Sequence, residues 1–164
     1  MNHFRRWPLI SAGILAFTLG LGGGPGRVAQ AAPPETAPEE LIESLTDIED
    51  AANAQDLAGV MVFYDEAFTN EDGFDYSTLE AALTELWTRY DSVTYRIELQ
   101  SWEPTEGGYI AETLTYIDGR SSTPRSAALE SVIRSRQTYE DEQIISQEIL
   151  SERNQLTSDR TSAA

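Results

Sequence analysis

The chain has 164 residues, a formal net charge of −17, no cysteine and a single histidine, His3. The absence of cysteine excludes disulfides and thiolate chemistry, and the negative balance argues against binding to nucleic acid or anionic membranes, which requires basic patches. A chain of this length predicts one domain, and 40% hydrophobic residues are enough for a packed core.

The N-terminal segment, residues 1–31, has the features of a cleaved secretory signal. An arginine pair precedes an apolar run over residues 8–21, and a small-x-small sequence ends at Ala31. We therefore expect cleavage before Ala32 and export to the periplasm or the extracellular space, without stable membrane association afterwards. An uncleaved anchor is the alternative, although the apolar run is shorter than the roughly 20 residues of a membrane span.

Cleavage would change the chemistry that the chain can perform. The signal contains three of the eleven arginines and none of the 28 acidic residues, so the mature charge would be −20. The histidine would also be lost, which argues against Ser-His catalysis and against a zinc or iron site. We expect no metal and no cofactor. The acidity is interpreted as a source of solubility, or as an adaptation to salt, rather than as an acidic docking face.

Helical periodicity fills the first half of the expected mature chain. Residues 32–38 contain three prolines and predict a linker. An amphipathic helix is predicted over residues 39–53. A second helix is predicted to begin at Asp56 and to continue as far as Phe68. The apolar positions that indicate these two helices are Leu41, Ile42, Leu45, Ile48, Ala52, Leu57, Val60, Met61, Tyr64 and Phe68.

A third helix is predicted after the turn-rich residues 69–75. Ser77 and Glu80 have the spacing of a capping box, and the helix is expected to end near Asp91. Its apolar stripe consists of Leu79, Leu83, Leu86, Trp87 and Tyr90.

Beyond Asp91 the apolar spacing changes from helical to alternating, which predicts strands. Two strands are predicted over residues 93–100 and 109–118, followed by a long hairpin over residues 127–154 with an acidic turn at residues 140–141. The pattern predicts an α+β fold in which N-terminal helices pack on one face of an antiparallel sheet. The domain is expected to span residues 39–155, with a flexible tail over residues 156–164.

Residues 56–72, DLAGVMVFYDEAFTNED, followed by a capped helix and a meander of strands, resemble the nuclear transport factor 2-like superfamily. That superfamily includes ketosteroid isomerases, polyketide cyclases and many small binding proteins. The resemblance implies a cone or cystatin-like roll, in which a strongly curved antiparallel sheet wraps around the helices. It also implies a pocket at the wide mouth and a homodimer formed through the sheet.

The resemblance implies one candidate catalytic residue, Asp72. Isomerases of this superfamily place a general-base aspartate eight residues after a tyrosine, and Asp72 follows Tyr64 at that distance. Their oxyanion tyrosine is replaced by Ile48, and their second carboxylic acid falls near Arg134, so both usual hydrogen-bond donors are missing. An acidic residue at this turn also occurs in non-catalytic members.

Aromatic residues and one arginine form the candidate ligand site, which comprises Tyr64, Phe68, Trp87, Tyr95, Tyr116 and Arg134. A pocket lined by these side chains would suit a flat apolar molecule, although aromatic residues at helical spacing more often belong to the core. Arg134 and Arg136 share one face of a strand. They either anchor an anion or pair with Glu130, Glu148 or Glu152 on neighbouring strands.

These observations favour an exported, non-catalytic domain that binds a small apolar or amphipathic molecule or a protein partner. The alternative is an isomerase-like or cyclase-like enzyme with Asp72 as general base. A third interpretation is a structural protein that dimerises through its sheet.

Overall fold

A computed structural model describes residues 31–122 and 127–157. Most of the expected signal and most of the expected tail lie outside these residues. The described elements are, in chain order, a 3₁₀ turn Pro34–Thr36, helix α1 Glu39–Asn53, helix α2 Leu57–Met61, strand β1 Tyr64–Asn70, helix α3 Tyr76–Arg89, and strands β2 Ser92–Pro104, β3 Gly108–Arg120, β4 Ala128–Glu140 and β5 Gln143–Thr157. No helix in the described ranges has both the length and the apolar character needed to cross a bilayer.

The five strands form one curved, unclosed sheet in the order β1-β5-β4-β3-β2. Strands β2 to β5 are antiparallel neighbours, whereas β1 runs parallel to β5. The predicted α+β class, with helices on a curved sheet, is confirmed. The predicted long hairpin is present as β4 and β5, and its turn residues Asp141 and Glu142 have positive φ angles of 47° and 68°. Strand β5 also continues to Thr157, two residues past the predicted end of the domain.

The prediction of a second helix as far as Phe68 is wrong. Helix α2 has only five residues, and the chain then enters β1. Tyr64 and Phe68 are four residues apart, a spacing that puts two side chains on one face of either a helix or a strand. Pairing with β5 decides between the two, beginning where Ile144 N donates to Phe63 O at 2.7 Å.

The predicted capping box of α3 is also wrong. The N-cap is Asp75, whose Oδ1 accepts hydrogen bonds from Thr78 N at 2.8 Å and from the hydroxyls of Ser77 and Thr78. These bonds stabilise the carboxylate and lower the pKa of Asp75 to about 2. Ser77 therefore lies within the first turn and supports the cap instead of forming it.

The sheet has two faces with different environments. The inner face carries Val93, Tyr95, Ala111 and Tyr139, which are buried against the helices, and the outer face carries the alternate residues. The alternation predicted for β2 is thus confirmed at Val93 and Tyr95. The buried apolar cluster comprises Leu41, Leu45, Ile48, Ala52, Val60, Tyr64, Phe68, Tyr90, Val93, Tyr95, Ala111, Tyr139 and Ile144.

The edge of β2 is covered by other parts of the chain. Glu49 Oε2 accepts a hydrogen bond from Ile97 N at 2.6 Å, and the side chain of Asn53 pairs with the backbone of Tyr95. Farther along the strand, the backbone of Ala32 pairs with that of Trp102. These contacts satisfy backbone groups that an edge strand would otherwise leave open to other chains.

Candidate functional site

Four of the predicted ligand-binding residues meet inside the cone. Tyr64 and Phe68 project from β1 into the core, with ring centroids 5.1 Å apart and ring planes at 85°. Tyr95 is buried on the inner face of β2, and Trp87 approaches it from α3. The structure therefore brings Tyr64, Phe68, Trp87 and Tyr95 into one aromatic group.

Two polar atoms of this group have no hydrogen-bond partner. Trp87 Nε1 and the Tyr95 hydroxyl are both shielded from solvent, and neither makes a hydrogen bond within the described structure. The indole N–H lies close to the phenol and partly offsets the effect of burial on the pKa of Tyr95. No hydrogen bond joins the two groups, however. An unsatisfied buried polar group costs about 1–3 kcal/mol. A ligand oxygen that accepts hydrogen bonds from these two groups would recover part of that free energy.

The buried phenols of the cone are donors rather than bases. Burial raises the pKa of both Tyr64 and Tyr95 to about 12, and it raises the pKa of Tyr139 as well. All three are therefore neutral at pH 7. The Tyr139 hydroxyl already donates to Gln137 Oε1 at 3.0 Å, whereas the Tyr95 hydroxyl is shielded from solvent and has no partner in the described structure.

Asp72, the candidate catalytic base, lies in the exposed turn between β1 and α3. Its backbone N–H donates to Asn70 Oδ1 at 3.0 Å. Tyr64 begins β1 and Asp72 follows its end, so the strand separates the two residues that the isomerase pattern would combine. Ile48 is buried in the core.

The other two predicted ligand-binding residues lie on the outer face, away from the aromatic group. Tyr116 is stacked beneath the Arg96 guanidinium, which is 4.1 Å from the ring centroid, and its hydroxyl donates to Glu98 Oε2 at 3.3 Å. Arg134 donates to Glu112 Oε2 at 2.8 Å. Tyr116 and Arg134 are thus occupied by neighbouring charged side chains.

Arg134 and Arg136 share one carboxylate, that of Glu112 on β3, with each guanidinium at 2.8 Å from a different oxygen. Arg136 also lies 3.8 Å from Glu148, the one expected partner that is confirmed. Glu112 is not recognisable from the sequence as the partner of these arginines, because its alignment with Arg136 depends on the register of the β3–β4 ladder. The two arginines, Arg136 foremost, lower the pKa of Glu112.

The outer face also contains a shallow cavity of about 450 Å³. Its floor is formed by Tyr116 and Val132, and Arg96 and Arg153 lie at opposite ends of the same cross-strand row. Its further lining residues are Thr94, Ile117, Asp118, Glu130, Ser131 and Gln155.

No family model and no curated protein sequence matches the chain. Solved structures do match. A candidate scytalone dehydratase from Novosphingobium aromaticivorans is similar with a TM-score of 0.55 and 9% identity, over 76% of this chain and 93% of that one.

Two further structures are similar at lower scores. Bd1075 from Bdellovibrio bacteriovorus has a TM-score of 0.49 and 18% identity over 68% of this chain, which spans only 39% of that protein. An NTF-2 like protein of unknown function from Burkholderia xenovorans has a TM-score of 0.40 and 16% identity, over 77% of this chain and 88% of that one. Identities this low establish the fold alone. The chain has the same fold as the Novosphingobium aromaticivorans structure, which is consistent with the resemblance to the nuclear transport factor 2-like superfamily.

Proposed function

We propose that the chain is an exported, non-catalytic binding domain that holds a small apolar or amphipathic molecule between α3 and the inner face of the sheet. The observation that carries this proposal is the pair of buried, unpartnered groups, Trp87 Nε1 and the Tyr95 hydroxyl. An aromatic enclosure with a few convergent polar groups is typical of small-molecule sites. The two groups suit a ligand with an apolar body and one hydrogen-bond acceptor, such as a carbonyl oxygen.

The packing of α3 supports a ligand at this position. The helix packs against β1 and α2, and none of its residues is fully buried. Its apolar stripe, which includes Leu79, Leu83 and Trp87, is only half-buried against the core. Because few contacts would be broken, a small outward movement of α3 would open space beside Tyr95.

The alternative is an isomerase-like or cyclase-like enzyme that uses Asp72 as its base. The exposed position of Asp72, in a turn outside the aromatic group, favours binding over proton abstraction. Under this alternative, Asp72→Asn would abolish a turnover. Under the binding proposal, the same substitution leaves ligand affinity unchanged.

The test compares two flat probes, naphthalene and its acetyl derivative 2-acetonaphthone, by quenching of tryptophan fluorescence. The carbonyl-bearing probe should bind about tenfold more tightly, because hydrogen bonds to neutral donors contribute that order of affinity. Tyr95→Phe should reduce this preference, because only the indole N–H of Trp87 would remain as a donor, whereas Tyr116→Phe on the outer face should retain the preference in full. Equal binding of both probes, or an unchanged preference in Tyr95→Phe, would refute the proposal.

A homodimer through the outer face is a second proposal, supported by the distribution of charge. Five of the six arginines in the described ranges lie on this face, and four of them pair with acidic side chains on the same strand or a neighbouring one. The outer face is therefore nearer to neutrality than the acidic helical side, so two copies would meet there with less repulsion. Light scattering coupled to size-exclusion chromatography tests this: Arg134→Glu should shift a dimer toward the monomer.

A further inference from the structure

The two edges of the sheet are treated differently along the chain. The edge of β2 is covered by Glu49, Asn53 and Ala32. On the other side, β1 pairs with β5 only as far as Gln147. Within the part of the chain that the structure describes, the remaining residues of β5, 148–157, pair with β4 alone, and we call them the open edge segment.

Over residues 150–156 the open edge segment is also exposed on its faces in the described structure. All residues from 150 to 156 are exposed, although the strand alternates between the two faces of the sheet. The elements that β5 chiefly packs against in the described structure are β4 and β1, and neither is a helix. A strand with one free edge and two exposed faces depends on a single ladder, which is a weak arrangement in water.

Apolar side chains are exposed on this segment. Leu156 is 68% exposed and lies on the inner side of the sheet beside its cross-strand partner Leu129. Leu150 is 36% exposed. They are two of the four large apolar residues with high exposure in the described structure, the others being Ile42 and Val62.

We propose that the open edge segment is a docking site for an extended, basic segment of a protein partner, which adds a sixth strand beside β5. Backbone hydrogen bonds along the free edge would supply affinity, and alternate side chains of the partner would supply specificity. An apolar side chain of the added strand would cover Leu156. The formal charge, −17 for the whole chain and −20 after the expected cleavage, favours a basic partner over an acidic one, since the field of the whole chain attracts cations.

A second copy fits this edge less well. An antiparallel pairing of two β5 strands that aligns Leu150 with Leu156 of the other copy would place the two Arg153 side chains directly opposite each other. Like charges at such a position are destabilising, and two chains of −17 repel each other at longer range. This surface is separate from the aromatic group inside the cone, so the inference does not depend on the proposed function.

The experiment adds three nine-residue peptides to the full chain. The lysine peptide alternates valine and lysine, and the glutamate peptide alternates valine and glutamate. The third is the lysine peptide with two of its residues replaced by proline. Amide hydrogen exchange read by NMR reports on pairing. The lysine peptide should slow amide exchange within residues 148–157 by at least about tenfold and leave exchange at the β2 edge unchanged. The other two peptides should leave exchange unchanged at both edges.

Leu156→Lys and Val62→Lys form a matched pair of variants. Each replaces an exposed apolar residue by the same cation, at 68% and 63% exposure respectively, so neither should disturb the core. We expect Leu156→Lys to weaken binding of the lysine peptide about tenfold and Val62→Lys to leave it nearly unchanged.

Three results would overturn the inference. Equal binding of the glutamate peptide would remove the requirement for a basic partner. Protection in the free protein, at micromolar concentration, of those amides of residues 148–157 that point away from β4 would show that the chain itself covers the edge. Protection that appears only as the protein concentration rises would identify a second copy as the occupant.

Discussion

Asn53 and Tyr95 are joined by two hydrogen bonds that resemble a pair in a β-ladder. Asn53 Nδ2 donates to Tyr95 O at 3.0 Å, and Tyr95 N donates to Asn53 Oδ1 at 2.8 Å. The last residue of α1 thereby occupies the edge of β2 and fixes the backbone of the residue whose hydroxyl lies in the candidate site. Fold stability and site geometry depend on the same contact.

Asn53→Ala should lower the free energy of unfolding by about 2 kcal/mol, because it leaves two partly buried backbone groups of Tyr95 without partners. Urea denaturation measures the change. Asn154→Ala is the control, since its side chain bonds only to the exposed Glu152 nearby, and it should cost less than about 0.5 kcal/mol. Equal losses in the two variants would contradict the role assigned to Asn53.

Removal of the Tyr139 hydroxyl should lower stability, whereas removal of the Tyr95 hydroxyl should not. Tyr139→Phe should cost about 1 kcal/mol, because Gln137 loses its donor in a buried environment. Tyr95→Phe should cause no loss in the free protein, since its hydroxyl has no partner there. Thermal denaturation of both variants without ligand provides the comparison. A loss in Tyr95→Phe as large as that in Tyr139→Phe would show that the Tyr95 hydroxyl is satisfied.

Gly119→Ala should destabilise the fold by about 1–3 kcal/mol through overpacking. A Cβ at this position would lie 2.9 Å from Cγ of Tyr90, whose ring packs directly on the glycine. Gly107→Ala is the matched control, because its Cβ would meet side-chain atoms of Glu140 only at 3.6 Å or beyond. Unfolding midpoints in urea should therefore shift for Gly119→Ala alone.

The N-cap of α3 should make stability depend on pH in acid. The pKa of Asp75 in the folded chain, about 2, lies below its ordinary value of 3.8. A lowered pKa means that the stabilisation is present above pH 3.8 and is lost as the pH falls toward 2. Melting temperatures between pH 5 and pH 2 measure this loss.

Asp75→Asn and Asp75→Ala separate the cap from its charge. Asparagine is also a good N-cap, so Asp75→Asn should melt close to the unsubstituted protein at pH 5. The same variant should lack the part of the acid dependence that Asp75 contributes. Asp75→Ala should lower the melting temperature by a few degrees at pH 5. An acid dependence that is unchanged in both variants would assign it to other carboxylates.

Local sequence patterns were sufficient to predict the helix α1, whose hydrogen bonds are local, and the strands that short turns connect. Helix α1, the strands β2 to β5 and the long hairpin follow from periodicity and turn residues, and the inward orientation of Val93 and Tyr95 follows from alternation. Strand β1 could not be predicted in this way, because the spacing of Tyr64 and Phe68 fits both a helix and a strand. Its ladder with β5, about 80 residues later in the chain, made the difference.

The candidate site was only partly accessible to the same reasoning. The sequence by itself determined that Tyr64, Phe68, Trp87 and Tyr95 were apolar, large and suitably spaced to face the interior. Only the tertiary structure decided that Tyr116 and Arg134 lie on the opposite face, that Asp72 is exposed, and that Asn53 supports Tyr95. The physical reason is that strand register and helix docking are set by hydrogen bonds and packing between distant segments, which no local spacing encodes.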